Sequence, residues 1–278
     1  MTTLEVLNAA TSYLDKHGVE SARLNAEHLL AHVLGMRRRI DLYLQFEQPL
    51  SEGQRAPLRE LVKRRAEGIP LQHILGEVEF CGRVFTCDAR ALIPRPETEL
   101  LVELVLKESH ASPSIVDVAT GSGVIGLSLA LSRPDAAVTL CDISHDALSL
   151  AGENALRHGL AGKVIRKQSD LMDSVEGIFD VIVSNPPYIP TPDISTLSRE
   201  VQNDPVLALD GGPDGLRIVE RLIKASLERL SAGGLLALEI GHDQAARVVD
   251  ILRTHNFRDI VVHRDYQDVE RFVFSRHG

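Results

Sequence analysis

Residues 179–188 join an apolar strand to a short polar tip that could hold a planar amino group. The tip follows the predicted strand 179–184 directly and consists of Asn185, Pro186, Pro187 and Tyr188. Two consecutive prolines restrict their own φ to about −65° and keep the preceding residue extended. The Asn185 amide and the Pro186 carbonyl therefore lie on rigid backbone, and both offer oxygen acceptors that suit an –NH2 group. These four residues alone are equally compatible with an ordinary proline-rich turn.

A glycine turn between a predicted strand and a predicted helix provides a second motif. Residues 114–118 form an apolar run typical of a buried parallel strand, and residues 124–131 have a helical pattern. Between them lies the small-residue turn 119–123. This order is found in nucleotide-cofactor sites, where the backbone approaches the ligand closely. The next strand ends at Asp142, whose carboxylate can accept hydrogen bonds from both ribose hydroxyls, and its distance along the chain from Gly123 fits the expected ~20 residues.

Two cofactors are compatible with this turn. Gly121, Gly123 and Gly126 satisfy the dinucleotide fingerprint G-x-G-x-x-G. S-adenosylmethionine (SAM) methyltransferases use a similar glycine turn, also with an acidic residue after the second strand. The tip at Asn185 favours the methyltransferase, because a dehydrogenase has no use for a rigid amide clamp at that place. We therefore expect SAM as the cofactor, held by Ala119, Thr120, Gly121, Ser122, Gly123 and Asp142, with Asn185 beside it.

The wider sequence resembles a known family. Residues 93–99 read Ile-Pro-Arg-Pro-Glu-Thr-Glu, and together with the glycine turn and the Asn-Pro-Pro-Tyr tip they resemble the protein-(glutamine-N5) methyltransferases of peptide chain release factors. Segments 23–27, 64–68, 74–76, 210–216 and 264–266 extend the resemblance over nearly the whole chain. The segment Pro-Arg-Pro-Glu-Thr is the most specific to this family, whereas Asn-Pro-Pro-Tyr is shared with DNA adenine methyltransferases.

The resemblance implies transfer of a methyl group from SAM to the side-chain nitrogen of a Gly-Gly-Gln-type glutamine in a class 1 release factor. Asn185, Pro186 and Tyr188 are then the catalytic residues, and Pro187 joins them in binding the substrate. Segment 95–99 closes over the methionine end of SAM. Asp170 and Leu171, after the third strand, border the adenine. Two positions depart from the family: Ala119 replaces a usual glycine, and Leu171 replaces a common aromatic residue.

The predicted organisation is α/β. Residues 1–75 read as a small helical domain for substrate recognition, residues 76–94 as a β-hairpin linker, and residues 95–278 as the methyltransferase domain. Strands are expected near 114–119, 137–142, 163–167, 179–184, 234–240, 259–264 and 270–275. Five alternating strands and a terminal hairpin match the seven-stranded, Rossmann-like methyltransferase sheet of the family.

Composition and charge narrow the possible partners. The chain has 278 residues, is 44% hydrophobic and carries a net charge of −9. Its basic clusters, 37–39 and 63–65, are small, so we interpret them as solvated helix faces or as contacts for an acidic protein partner, and we do not expect nucleic acid as a direct ligand. We expect a cytoplasmic protein without a signal peptide or membrane span. No metal is expected, since His28, His32 and His73 lack ligand spacing. The alternative function is a DNA or RNA adenine-N6 amino-methyltransferase.

Overall fold

The chain divides into two compact units. The computed structural model describes residues 1–36 and 38–278, so the predicted basic cluster 37–39 can be followed only at Arg38 and Arg39. One unit contains Met1–Glu77 and Ser198–Asn203, and the other contains Val78–Leu197 and Asp204–Gly278. Arg38 pairs with Asp41, and Arg39 pairs with Glu27. The described part of this cluster is therefore neutralised by neighbouring carboxylates.

The smaller unit is helical. Its helices are α1 (Thr3–Lys16), α2 (Ala22–Val33), α3 (Glu52–Ala66) and α4 (Leu71–Leu75), with a 3₁₀ helix at Arg39–Gln45. α1 and α3 begin at capping boxes that end in Glu5 and Gln54. Their apolar stripes meet those of α2 and α4 in one core that includes Leu7, Leu29 and Leu58. The sequence did not predict α4 and the 3₁₀ helix, because each is too short to show a clear helical periodicity.

A β-hairpin precedes the glycine turn, as the alternating pattern predicts. It pairs β1 (Glu77–Phe80) with β2 (Arg83–Thr86). The domain boundaries were predicted at residues 75 and 94, with the hairpin as a linker. In the structure the division falls between Glu77 and Val78, and the hairpin packs into the larger unit. Phe80 and Phe85 are fully buried in that unit's core and meet edge to face, with ring centroids 6.3 Å apart.

The larger unit is built on the predicted seven-stranded sheet. The strands are β3 (Ser114–Val118), β4 (Ala137–Asp142), β5 (Val164–Gln168), β6 (Phe179–Ser184), β9 (Leu230–Glu239), β10 (Arg258–Arg264) and β11 (Glu270–Arg276). Their order in the sheet is β10-β11-β9-β6-β3-β4-β5. β11 runs antiparallel to β9 and β10, and the remaining neighbours are parallel. Two short strands, β7 (Ile189–Pro190) and β8 (Asp210–Gly212), form a separate parallel pair.

Helices cover both faces of the sheet. They are α5 (Pro96–Glu108), α6 (Val124–Ser132), α7 (His145–Arg157), α8 (Arg217–Ser226) and α9 (Ala245–Thr254). Successive residues of a strand point to opposite faces, so Ile115 packs with α5, α6 and α7, while Val116 packs with α8 and α9. This alternation explains why β3 reads as a continuous apolar run.

Strand register brings the predicted site residues to one edge. Ser184 pairs with Val118 on one side and with Leu238 on the other, and Val118 pairs with Cys141. The residues that follow these partners are Ala119, Asp142, Asn185 and Glu239. They therefore lie in a row at the carboxyl ends of β3, β4, β6 and β9. In an open α/β sheet this edge is where ligands bind.

Candidate active site

A cavity of about 460 Å³ opens at this edge of the sheet. Nine of the predicted site residues line it: Ala119, Thr120, Gly121, Ser122, Asp142, Asp170, Leu171, Asn185 and Pro187. Among the described residues that line the cavity, the predicted positions Gly123, Pro186 and Tyr188 do not occur. The volume falls within the range of small-molecule and cofactor sites. The structure therefore gathers most of the predicted cofactor residues around one space, while the roles of individual residues remain predictions.

The glycine turn at residues 119–123 uses left-handed backbone. φ is 55° at Ala119, 55° at Gly121 and 83° at Gly123. A Cβ at Gly123 would lie 3.0 Å from both Ala151 and Leu127, so this glycine also permits close packing of α6 and α7. Ala119 keeps its Cβ in a conformation that L-residues rarely adopt. The departure from the family glycine therefore places a strained residue at the end of β3.

A carboxyl group beneath the turn holds it in shape. Asp117 Oδ2 accepts hydrogen bonds from Thr120 Oγ1 at 2.5 Å and from Gly126 N at 2.9 Å. Asp117 is completely buried, and burial raises its pKa to about 7. This residue was missed in the sequence analysis. A lone carboxylate within an apolar strand is a usable signal, because a buried acid needs partners.

Asp142 faces the cavity at the end of β4 and is itself anchored by backbone. Its Oδ2 accepts from Gly121 N at 2.8 Å, and its Oδ1 accepts from Ser144 N at 2.9 Å. Burial raises the pKa of this carboxyl, and these hydrogen bonds oppose that effect. Each carboxylate oxygen retains acceptor capacity beyond these bonds. The geometry therefore fits the predicted pairing with two ribose hydroxyls.

Asp170, at the predicted adenine border, forms an ion pair. Arg221 Nη2 on α8 donates to Asp170 Oδ2 at 2.9 Å, and both side chains are about half exposed. Leu171 is buried with φ 49°. Asp170 and Leu171 both line the cavity, and so does Arg221, which the sequence analysis did not single out. An arginine spaced along an amphipathic helix gives no sign of its tertiary partner.

Segment 93–99 bends around the cavity and is anchored by Asp204. Asp204 accepts from Ile93 N at 3.2 Å and from Arg95 Nη2 at 2.9 Å. Its carboxyl group is buried, which raises its pKa to about 6, and Arg95 opposes the shift. Pro94, Arg95 and Thr98 line the cavity. Pro96 then opens α5 at a position where its missing N–H costs nothing.

A hydrogen-bonded chain connects the tip of β6 to the end of β9. Asn185 Nδ2 donates to Thr98 Oγ1 at 3.3 Å, and Thr98 Oγ1 donates to Glu239 Oε2 at 2.8 Å. Thr98 and Glu239 are only 3% and 2% exposed. Burial raises the pKa of Glu239 to about 7, and the opposing effects come from hydrogen bonds of Thr98 and Asn185 and from the charge of Arg271. Glu239 was missed in the sequence analysis, although it is the only charged residue of the run 235–240.

The loop after Asn185 is held from behind by the segment 210–216. Gln244 Nε2 donates to Tyr188 O at 2.9 Å and to Gly215 O at 3.3 Å. A Cβ on Gly215 would lie 2.3 Å from Tyr188 O, so only glycine allows this approach. Burial raises the pKa of the Tyr188 phenol to about 12, which keeps it neutral at pH 7. The Gly-rich segment thus sets the backbone path of the predicted clamp.

In the described part of the chain, no group of three or more His, Cys, Asp or Glu residues could hold a metal ion. Within residues 1–36 and 38–278, no helix is long and apolar enough to cross a membrane. Cys81, Cys87 and Cys141 are free thiols, and burial raises the pKa of Cys81 to about 11.

The sheet order, the glycine turn and the carboxylate after β4 define a Rossmann-like methyltransferase. Residues 5–76 match the model described as the PrmC N-terminal domain, and residues 96–199 match the methyltransferase small domain. A methyltransferase from Pyrococcus furiosus has a similar fold, with a TM-score of 0.54 at 16% identity over 70% of this chain and 88% of that one.

Two curated relatives extend over essentially the full length. The release factor glutamine methyltransferase of Geobacter sulfurreducens is 40% identical and spans 100% of this chain and 97% of its own length. That of Deinococcus radiodurans is 41% identical and spans 99% of each chain. The protein belongs to the release factor glutamine methyltransferase family, and the predicted resemblance is confirmed.

Proposed function

We propose that this protein transfers the methyl group of SAM to the side-chain amide nitrogen of a glutamine in a class 1 peptide chain release factor. The observation that supports this most directly is the position of Asn185. Its amide lies on the cavity wall with its nitrogen turned to Thr98, so its carbonyl oxygen is available as an acceptor. An acceptor held on rigid backbone is what a substrate –NH2 group needs.

The cavity residues fit SAM as the methyl donor. Asp142 would accept from the ribose hydroxyls, Leu171 would cover the adenine, and the turn 119–123 would bring backbone close to the methionine part. Asp170 would accept a hydrogen bond from the adenine amino group while it also accepts the one from Arg221. When bound, SAM supplies an electrophilic methyl group on a sulfonium centre.

The proposed work of the protein is orientation of the glutamine. An amide nitrogen is a weak nucleophile because its lone pair is delocalised into the carbonyl. Asn185 Oδ1 and the Pro186 carbonyl oxygen would each accept one N–H of the glutamine, which directs the nitrogen and favours positive charge on it. Positioning of this kind contributes up to ~7–11 kcal/mol in favourable cases. Tyr188 would wall the glutamine side chain, and the methylated nitrogen then releases its proton to water.

The helical unit is proposed to recognise the release factor. A single glutamine offers few contacts, so selectivity for one protein requires additional area. Exposed apolar side chains lie on its 3₁₀ helix, namely Ile40, Tyr43 and Leu44, which are 62%, 49% and 85% exposed. Clusters of this kind mark surfaces for protein partners.

Nucleic acid is proposed not to be a direct ligand, and the cytoplasm is proposed as the place of action, because release factors work there. The net charge of −9 opposes phosphate tracking. Several arginines near the cavity are paired with carboxylates, as Arg90 is with Asp88 and Glu153. An adenine-N6 methyltransferase would share the acceptor at Asn185, so the substrates must be compared directly.

The test is incubation of the purified protein with SAM labelled at its methyl group. Intact release factor, the same factor with its Gly-Gly-Gln glutamine changed to asparagine, DNA and RNA are supplied in parallel. We expect label only in the unmodified factor, at the glutamine. Label in DNA or RNA, with none in the factor, would replace this function with the adenine alternative.

A further inference from the structure

We propose that Glu239 is a positioning residue for methyl transfer, which acts through the Thr98 hydroxyl to keep the carbonyl oxygen of Asn185 turned toward the cavity. The inference deepens the proposed function, because it assumes that Asn185 receives the substrate amide. It concerns three residues on three elements: the tip of β6, the first turn of α5 and the last position of β9.

The direction of the hydrogen bonds follows from the charge of Glu239. An ionised carboxylate can only accept hydrogen bonds, so Thr98 must donate its single O–H to Glu239 Oε2, at 2.8 Å. The Thr98 oxygen then has only lone pairs to offer to Asn185. The group of Asn185 that can use them is the –NH2, and Asn185 Nδ2 is the atom found 3.3 Å away. The opposite end of the amide, Oδ1, is left for a ligand in the cavity.

A neutral Glu239 permits the reverse order. A protonated carboxyl can donate its O–H to Thr98, and Thr98 can then donate to Asn185 Oδ1 after the amide has turned by about 180°. In that arrangement the Asn185 –NH2 faces the cavity. It would meet the –NH2 of the substrate glutamine, donor against donor, and the amide nitrogen would lose one of its two acceptors. The charge of Glu239 therefore selects the productive orientation.

The surroundings of Glu239 place this change in a measurable range. Burial favours the neutral form, as does the neighbouring Glu97 on α5, whereas Arg271 on β11 and the hydrogen bonds from Thr98 and from the Asn185 amide favour the ionised form. Arg271 also donates to Asp265 Oδ2 at 3.3 Å, so its charge is shared. The Tyr188 phenol, also near Glu239, stays neutral. With the pKa of Glu239 raised to about 7, the arrangement in which the Asn185 carbonyl oxygen faces the cavity becomes more populated as pH rises through neutrality.

A purely structural role gives different expectations. If Thr98 and Glu239 only joined α5 to β9, their loss would lower stability without changing how the transfer rate depends on pH. The two roles are therefore separated by kcat and its pH profile, measured beside the SAM dissociation constant and the thermal midpoint of unfolding.

The experiment uses the full-length protein, SAM and intact release factor at saturating concentrations, from about pH 5.5 to about pH 8.5. In the unmodified protein we expect kcat to rise with pH along a limb centred near the pKa of Glu239. Glu239→Gln should lower kcat by about 10-fold or more and remove that limb, with the SAM dissociation constant changed by less than about 3-fold. Glu103→Gln, at an exposed position on α5, the helix that carries Thr98, is the matched control and should keep the limb.

Thr98 provides an independent pair of variants. Thr98→Val keeps the shape but removes the hydroxyl, and it should reproduce both effects of Glu239→Gln. Thr98→Ser returns the hydroxyl and should restore most of the lost kcat together with the limb. A limb that persists in folded Thr98→Val or Glu239→Gln overturns the inference, and so does its absence from the unmodified protein. If Asn185→Ala also turns over normally, the proposed function of Asn185 fails; if Asn185→Ala is slow and the other variants are normal, only this inference fails.

Discussion

Asp142 Oδ2 accepts a hydrogen bond from Gly121 N at 2.8 Å, which ties the carboxylate after β4 directly to the glycine turn after β3. The two halves of the predicted cofactor motif are 21 residues apart in the chain and in contact in the structure. The backbone N–H of Gly121 thus holds the carboxylate in place. A preorganised acceptor of this kind loses less conformational freedom on binding.

Replacing Asp142 should therefore weaken SAM binding. Charged hydrogen bonds contribute roughly 1.5–3 kcal/mol each, so Asp142→Ala should raise the SAM dissociation constant by about 10-fold or more. Titration calorimetry measures this directly, with circular dichroism to establish that the variant is folded. Asp146→Ala, at a side chain that is 79% exposed, serves as the control. An unchanged affinity in folded Asp142→Ala would contradict the proposed ribose contact.

Asn185 should affect turnover far more than cofactor affinity. Removing a positioned hydrogen-bonding group typically lowers kcat by about 10²–10³-fold, and we expect this of Asn185→Ala. Asn185→Asp keeps an acceptor for the substrate –NH2, so it should retain more activity than the alanine variant. Steady-state kinetics with release factor, beside SAM titrations, test the order. Near-normal turnover of both variants would show that Asn185 has only a structural role in the turn.

Ala119 offers a test of backbone strain. Its φ of 55° costs an L-residue roughly 1–2 kcal/mol, whereas glycine adopts this conformation freely but loses more entropy on folding. Ala119→Gly should therefore raise the free energy of unfolding by about 0.5–1 kcal/mol. Ala130→Gly, within α6, should lower it by about 1 kcal/mol or more. Urea denaturation measures both changes. Destabilisation by Ala119→Gly would show that the packing of the Ala119 methyl group stabilises the protein by more than its backbone strain costs.

Asp117 should make stability depend on pH in an unusual direction. Its pKa is raised from 3.8 to about 7 in the folded protein, so the folded state holds a proton that the unfolded chain releases. Its contribution to the free energy of unfolding should therefore fall as pH rises from about 4 to about 7. The difference in stability between the unmodified protein and Asp117→Asn, measured across this interval, isolates that slope. Asp135→Asn, at an exposed position, should leave the slope intact, and equal slopes in all three proteins would contradict the raised pKa.

The helical unit should matter for the protein substrate and not for the glutamine itself. Leu44→Asp should lower kcat/KM for intact release factor by about 10-fold, because a charge disfavours burial at an interface. The same variant should treat a short Gly-Gly-Gln peptide like the unmodified protein does. Leu156→Asp, at a 71% exposed position on α7, controls for surface charge. A Leu44→Asp protein with normal kcat/KM for the factor would assign another role to this surface.

Local sequence determined much of this protein. Strong apolar runs identified the central strands β3, β6 and β9, and the closely spaced Gly121 and Gly123, which the structure places at positive φ, identified the turn at residues 119–123. These features depend on backbone sterics and on the burial of one strand or helix face. Both are determined by residues that are close together in the chain. The motif residues of the family identified its chemistry as methyl transfer. The predicted roles of individual residues follow from the same motifs and await the experiments above.

Tertiary structure alone decided which buried polar groups meet. Asp117 lies inside a predicted strand, and nothing in its neighbourhood in the chain indicates that it holds the start of α6. Thr98 and Glu239 are 141 residues apart and bond only because α5 packs against the end of β9. Periodicity indicates which face of an element is buried, but it does not name the partner. The partner depends on strand order and register, which long-range packing of the whole sheet selects.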